Sequence, residues 1–391
     1  MTVAFRQSFP TGMLAALAMI AGLEFRAFRP RTDLATFIAA SWIDASRASR
    51  TDAVTSADVL FLGDSQIKGG LIPSAFAKHG SLRAYNLATI GGQPAASLAL
   101  LKRALDSGAK PKAIVFGFYP GLLASDSGIN VRQWPELLGL SACVELLRIR
   151  GDFGFAAPLL SRCLLPSLRR RDEIRVAVFA MATGTVDPGK EKALAYLRNW
   201  RLHSGAQALA ANPDFRDDPV APQGEPGRSS NRARSKWSAK NEHLISLRAM
   251  LALADSRGIA TFWLLPTNSP GLQTFRRDNG LETAFLQLVH DVQHEYPKVT
   301  ILDPTRILNS TSVFSDACHL ARNGALALSL ATAATVKSRL ACERVDNDSS
   351  SRWVVLADQV NRSRYTIDLQ EDVIQSIHAI HADQNARKLW R

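Results

Sequence analysis

The sequence predicts an α/β protein built on a central parallel sheet, with a largely helical insertion. Three observations carry this prediction. Short apolar runs recur at residues 59–62, 113–118, 259–265 and 299–302, each bounded by turn-forming residues as buried parallel strands are. Amphipathic helix patterns alternate with them at 94–105, 241–256 and 281–295, the rhythm of a doubly wound sheet. The first run breaks at Gly63-Asp64-Ser65, so a serine sits at the carboxyl end of a strand, where open α/β sheets place their ligands.

Residues 1–31 carry an apolar stretch at 9–23, with Arg6 before it and Arg26, Arg29 and Arg31 after it. The stretch is long for a signal-peptide core and short for a full span. It is read as an uncleaved signal-anchor or transmembrane segment, against an amphipathic helix packed on the domain. Basic residues on both flanks leave orientation open. The expectation is a membrane-anchored protein whose domain faces outside the cytoplasm, with secreted and cytoplasmic forms as alternatives. Residues 32–57 read as a helical connector, with Leu34, Phe37, Ile38 and Trp42 at helical spacing.

The α/β domain is expected over 58–341. After the 59–62 strand comes a loop and short helix to His79-Gly80, then a second strand over 82–93 that breaks at Gly91-Gly92. The 94–105 helix places Leu98, Leu101 and Leu105 along one side, and strand 113–118 ends in Tyr119-Pro120-Gly121. Residues 122–242 are read as an insertion and a candidate lid. They hold helical segments at 136–149 and 188–202 and a polar Pro/Gly/Arg-rich stretch at about 212–238, too poor in apolar residues to bury. The α/β pattern resumes with helix 241–256, strand 259–265, helix 281–295, strand 299–302 and a helix from about 323 to 339. Residues 342–391 form a C-terminal extension, with a polar linker at 346–351, a candidate strand at 352–356 and a helix at 369–386.

A chain of 391 residues, 46% hydrophobic and 21% charged, is long and apolar enough for a packed core. Its net charge of +12 admits an anionic membrane, an anionic polysaccharide or nucleic acid as partner. No zinc-finger spacing and no aromatic-basic interleaving accompany the charge, so no specific nucleic acid is expected. Cys143, Cys163, Cys318 and Cys342 form no Cys-x-x-Cys pair. One pair is able to bridge in an exported domain, and the sequence does not say which. His290 and His294 lie four apart on a helix, but no glutamate in the metal-protease position and no third ligand accompanies them. No metal and no organic cofactor is expected.

The chemistry-bearing residues fall in three separated pieces: Ser65 after the first strand, Gly91 after the second, and Asp316 with His319 before the last helix of the domain. Acyl transfer by serine needs a base for the hydroxyl proton, a carboxylate to hold that base, and amide donors for the oxyanion. Asp-x-x-His on one short loop sets a carboxylate beside the imidazole Nδ1 and leaves Nε2 for the serine. The backbone N–H groups of Ser65 and Gly91, with Gly92 as neighbour, are the candidate oxyanion donors. The alternative for Asp64, Ser65 and Asp316 is helix capping, and for His319 a place on the surface. Asp64 is expected to order its turn through local hydrogen bonds.

These pieces resemble the SGNH hydrolase superfamily, also called GDSL-type esterases and lipases. Gly63-Asp64-Ser65, Asn86-Leu87-Ala88-Thr89-Ile90-Gly91 and Asp316-Ala317-Cys318-His319-Leu320 match its first, second and last blocks in order and strand context. The resemblance implies a flavodoxin-like three-layer α/β/α fold, with Ser65 as nucleophile, His319 as base, Asp316 as its orienting carboxylate and Gly91 as an oxyanion donor. Two departures mark a divergent branch. Tyr119 falls where the third block carries an oxyanion asparagine, so Tyr119 or Asn268 is the candidate replacement. Gln66-Ile67 continues the first block in place of the usual leucine. The implied function is hydrolysis of carboxylic esters or O-acyl (acetyl) transfer to cell-envelope glycan. The implied partner is an acylated small molecule or glycan. A catalytically inactive protein of this fold that binds glycan or a membrane partner is the alternative.

Overall fold

The computed structural model describes residues 36–151, 153–184, 188–217, 237–342, 352–356 and 371–389, with five isolated positions between 12 and 22. The expected anchor over 1–31 and most of the polar stretch at 212–238 lie outside the described residues. Among the described residues no helix is long and apolar enough to cross a membrane.

Six strands form one sheet: β1 Val59–Gly63, β2 Ala84–Asn86, β3 Ala113–Gly117, β4 Ala260–Leu264, β5 Thr300–Asp303 and β6 Trp353–Val355. Their order is β2-β1-β3-β4-β5-β6 and every neighbouring pair is parallel. Among the described residues the helices of six residues or more are α1 Phe37–Ala48, α2 Ser65–Gly70, α3 Pro94–Asp106, α4 Leu140–Arg150, α5 Phe153–Leu164, α6 Arg171–Thr183, α7 Pro188–Leu202, α8 Asn241–Ser256, α9 Pro270–Asp278, α10 Leu281–Glu295, α11 Arg322–Cys342 and α12 Val373–Leu389.

Alternation along the strands divides the core in two. Leu60 and Leu62 of β1, Ile114 and Phe116 of β3, Trp263 of β4 and Ile301 of β5 join one cluster with Trp42, Leu101, Leu247 and Phe285 from α1, α3, α8 and α10. Val59, Phe61, Val115, Phe262, Leu264 and Leu302 join the other, with Ile67 of α2 and Leu328 and Val336 of α11. A sheet apolar on both faces needs a helix layer on each, and the result is a three-layer α/β/α sandwich.

The second strand is shorter than expected. Only Ala84–Asn86 pairs with β1, and residues 87–93 leave the ladder as irregular chain. Asn86 holds that departure, donating from Nδ2 to the carbonyls of Ile67 at 2.9 Å and Leu71 at 3.0 Å and accepting from the Ala88 N–H at 3.0 Å. The region between β3 and β4 is largely helical to residue 202, with α5 and α6 beyond the expected segments, and 203–217 is turn and irregular chain.

The connector is part of the body of the protein. Trp42 is 0% exposed and meets Trp134 edge to face, ring centroids 5.0 Å apart. At the other end, the sheet does not stop at the expected domain boundary of 341. β6 pairs with β5, and Trp353 stacks on His290 of α10 at 4.8 Å.

Candidate active site

β1 ends where its backbone must turn away from the sheet. Gly63 has φ +141, and a Cβ there would lie 2.2 Å from the Gly117 carbonyl oxygen of β3. Only glycine fits so close an approach at that φ. Asp64 follows as N-cap of α2, and Ser65 is the first helical residue.

Asp64 is 0% exposed. One carboxylate oxygen accepts the Gln66 N–H at 2.8 Å and the other the Tyr119 N–H at 2.5 Å. Burial pushes this carboxyl up to about 6, against the pull of those two N–H donors. Asp64 therefore orders more than its own turn: it joins the end of β1 to the chain leaving β3.

His319 completes the arrangement across the chain. Its Nε2 lies 2.8 Å from Ser65 Oγ, and its Nδ1 lies 2.9 Å from both carboxylate oxygens of Asp316. Burial would lower the histidine's pKa. The Asp316 hydrogen bond, aided by the Cys318 thiol, outweighs it and holds His319 well above its ordinary value. Asp316 is also desolvated, yet its bond to His319 and the Cys318 N–H keep it below the usual carboxylate range. With Nδ1 facing a carboxylate, the neutral imidazole carries its proton there and offers the Nε2 lone pair to Ser65.

The Asp-x-x-His loop orders itself. Asp316 Oδ1 accepts the N–H groups of Cys318 and His319, each at 2.9 Å, and the Ser315 N–H donates to the His319 carbonyl at 2.8 Å. Phe314 and Leu320, 2% and 1% exposed, pair across its base. It is fastened to the loop after β4 by the Ser269 N–H, which donates to the Ala317 carbonyl at 2.9 Å. Gln66, beside the serine, spans the two halves. Its Nε2 donates to the carbonyls of Cys318 at 3.2 Å and Thr267 at 3.4 Å.

Gly91 has φ +68, so its peptide takes the left-handed conformation that glycine tolerates. Neighbours fix it on three sides. The Ile90 N–H donates to Ser41 Oγ at 3.1 Å, Trp42 Nε1 donates to the Ile90 carbonyl at 2.9 Å, and Asn130 Nδ2 donates to the Gly91 carbonyl at 2.8 Å. Neither the Gly91 N–H nor the Ser65 N–H has an acceptor among the described residues. Gly92 is committed, donating to the Thr89 carbonyl at 3.0 Å.

The two candidates for the missing asparagine fare differently. Tyr119 is tied to the site through its backbone bond to Asp64, and its ring lies against Gly121. Asn268 lies in the loop after β4, but its Nδ2 is turned to Gln273 Oε1 at 3.1 Å. Gln66, Asn130, Ser41 and Trp42 are the residues that sequence reasoning passed over. Gln66 carried one signal, its break with the first-block pattern. The others sit 39 or more positions from the residues they hold and carried none.

Lys68 adds a buried cation beneath the same loops. It is 1% exposed, donates to the carbonyls of Ala88 at 3.1 Å and Gly205 at 2.9 Å, and lies 4.5 Å from the Trp200 ring. Burial lowers its pKa to about 8. For metal binding, one group among the described residues gathers three donors within 4.8 Å: Asp316, Cys318 and His319. Two of its members already face each other as a hydrogen-bonded pair. His290 is stacked on Trp353 and is not part of such a group.

Comparison of the chain with protein-family models and with curated proteins returns no match.

Proposed function

We propose that this protein is a serine-dependent acyl-ester hydrolase or O-acyltransferase of the SGNH type, acting on an acylated small molecule or glycan. One observation carries the reading: the unbroken hydrogen-bonded line from Ser65 Oγ through His319 to Asp316. Helix capping explains Asp64 without explaining why His319 points Nε2 at the serine.

In this reaction Ser65 Oγ attacks the acyl carbonyl as His319 Nε2 takes its proton. Asp316 holds the imidazolium that forms. The Ser65 and Gly91 N–H groups, both without an acceptor among the described residues, receive the oxyanion. Collapse expels the alcohol, which leaves with the proton from His319. Water or an acceptor hydroxyl then gives up its proton to His319 and releases the acyl group from Ser65. Water makes the enzyme a hydrolase, and a sugar hydroxyl makes it a transferase. Membrane attachment through residues 1–31 and a net charge of +12 suit an anionic envelope polymer as the acyl carrier.

The test is covalent labelling with a fluorophosphonate. Wild type should take one label, mapped to Ser65, while Ser65→Ala and His319→Ala should take none. Folded wild type that stays unlabelled under conditions that label a known esterase would overturn the proposal. The glycan-binding alternative would then be tested by binding to acetylated polysaccharide.

A further inference from the structure

The insertion between β3 and β4 holds two thiols in contact. Cys143 lies near the start of α4 and Cys163 near the end of α5, and their sulfurs are 3.0 Å apart. Sequence proximity does not explain this. The two helices fold back on each other through Gly151, whose φ of +66 ends α4, and an antiparallel hairpin brings its outer ends together. A covalent S–S bond is about 2 Å long, so closure needs a movement of about 1 Å. Cys318 and Cys342 are placed otherwise, the first beside His319 and the second exposed at the end of α11.

We propose that Cys143 and Cys163 form a disulfide that staples α4 to α5, made by exchange with a small-molecule or protein disulfide. The two thiols differ in a way that sets the order of steps. Cys143 is 0% exposed, whereas Cys163 is half-buried. The hydrogen bond from the Cys143 thiol lowers the pKa of Cys163, burial opposes that, and the Arg169 guanidinium adds to it. Cys163 is thus the attacking thiolate. It displaces one thiolate from the incoming disulfide and forms a mixed disulfide. Cys143 then gives up its proton and attacks the Cys163 sulfur, which releases the second thiolate. The two protons lost by the cysteines end on the two released thiolates, and the incoming disulfide is the species reduced.

The hairpin is where such a staple has most to hold. Leu146, Phe155 and Leu159 are buried with Cys143, but Leu164 at the end of α5 and Phe179 of α6 are 64% and 66% exposed. A disulfide there persists in an oxidising compartment, which agrees with the export expected from residues 1–31. The inference is independent of the chemistry at Ser65.

The experiment equilibrates the full chain with excess reduced over oxidised glutathione, which leaves an isolated exposed thiol mostly free. It then removes the glutathione at low pH, denatures the protein without reductant, and counts free thiols with a maleimide by mass. Two labelled cysteines are expected, Cys318 and Cys342, with a 143–163 linked peptide in the digest that reduction releases. Cys163→Ser should give three labelled cysteines and no linked peptide. The oxidised wild type should also melt a few degrees above the same protein after reduction. Four labelled cysteines, or a linked peptide joining another pair, would overturn the proposal. So would glutathione retained on Cys163 with Cys143 still free. Because the decisive count is made on wild type, a poorly folding variant does not blunt it.

Discussion

Ser65 and His319 meet at one hydrogen bond but are held in different ways. Ser65 follows a strand whose five residues are all buried, and Gly63, Gly117 and Asp64 constrain the turn between them. His319 stands on an irregular loop, and the Asp316 side chain is 52% exposed. Packing sets Ser65, the proposed nucleophile. Hydrogen bonds within the loop, and a few to the chain after β4, set the base. The half proposed to accept a proton and return it is thus the half held by bonds rather than by core, and disturbing either half should give a different signature.

The largest effect should come from the bond that joins the halves. His319→Ala should lower kcat/KM for an aryl acetate by about 100,000-fold, with a small fall in melting temperature from the lost Asp316 pair. Asp316→Asn should lower it by on the order of 1,000- to 10,000-fold. The Asn variant also sharpens the comparison through pH. His319 must be neutral to act, and its raised pKa places the acidic limb of the kcat/KM profile above about 6.5. Removing the carboxylate should move that limb to lower pH. A limb that stays in place would assign it to another group. For stability the sign is opposite: the protonated pair stabilises the fold below the unfolded histidine value near 6.5, and that contribution is lost as pH rises through the folded value.

Breaking the other half should read out as stability. Gly63→Ala, which drives a Cβ against the Gly117 carbonyl, should cost about 3–4 kcal/mol in denaturant unfolding. Gln66→Ala should give the smallest change, because it removes only the tie between the halves. A loss of about 10-fold in kcat and about 1–2 kcal/mol in stability is expected. Equal stability with a large kcat loss would mean that Gln66 touches the reacting atoms.

The Ser65–His319–Asp316 arrangement was legible because each member announces itself locally. A strand that breaks at Gly-Asp-Ser and an Asp-x-x-His before a helix are short-range patterns, and the alternation of strands and helices gave the sheet. What was not legible depends on chain brought from afar. Ser41 and Trp42 steady the Gly91 peptide from a helix read as a mere connector. Asn130 reaches the same peptide from the insertion. Asp64 looked like a local cap because half of its bonding is local, and its bond to Tyr119 exists only once β1 and β3 are paired. The extent of β2 failed for a related reason: its apolar run continues, but Asn86 diverts the backbone into contacts that periodicity does not encode.

The last strand bears on how the chain matures during synthesis. β5 is complete when Asp303 leaves the ribosome, but its outer edge stays open until Trp353–Val355 arrive and the Ile301 N–H finds the Arg352 carbonyl. Every residue of the Ser65–His319–Asp316 line has been translated by then. A nascent chain stalled after Cys342, or a product clipped before Arg352, would carry the whole proposed catalytic set and an unpaired strand edge, the feature through which sheets associate edge to edge. Loss of the C-terminal strand would therefore surface as insoluble protein, with the Ser65–His319–Asp316 line of the remaining soluble chain intact.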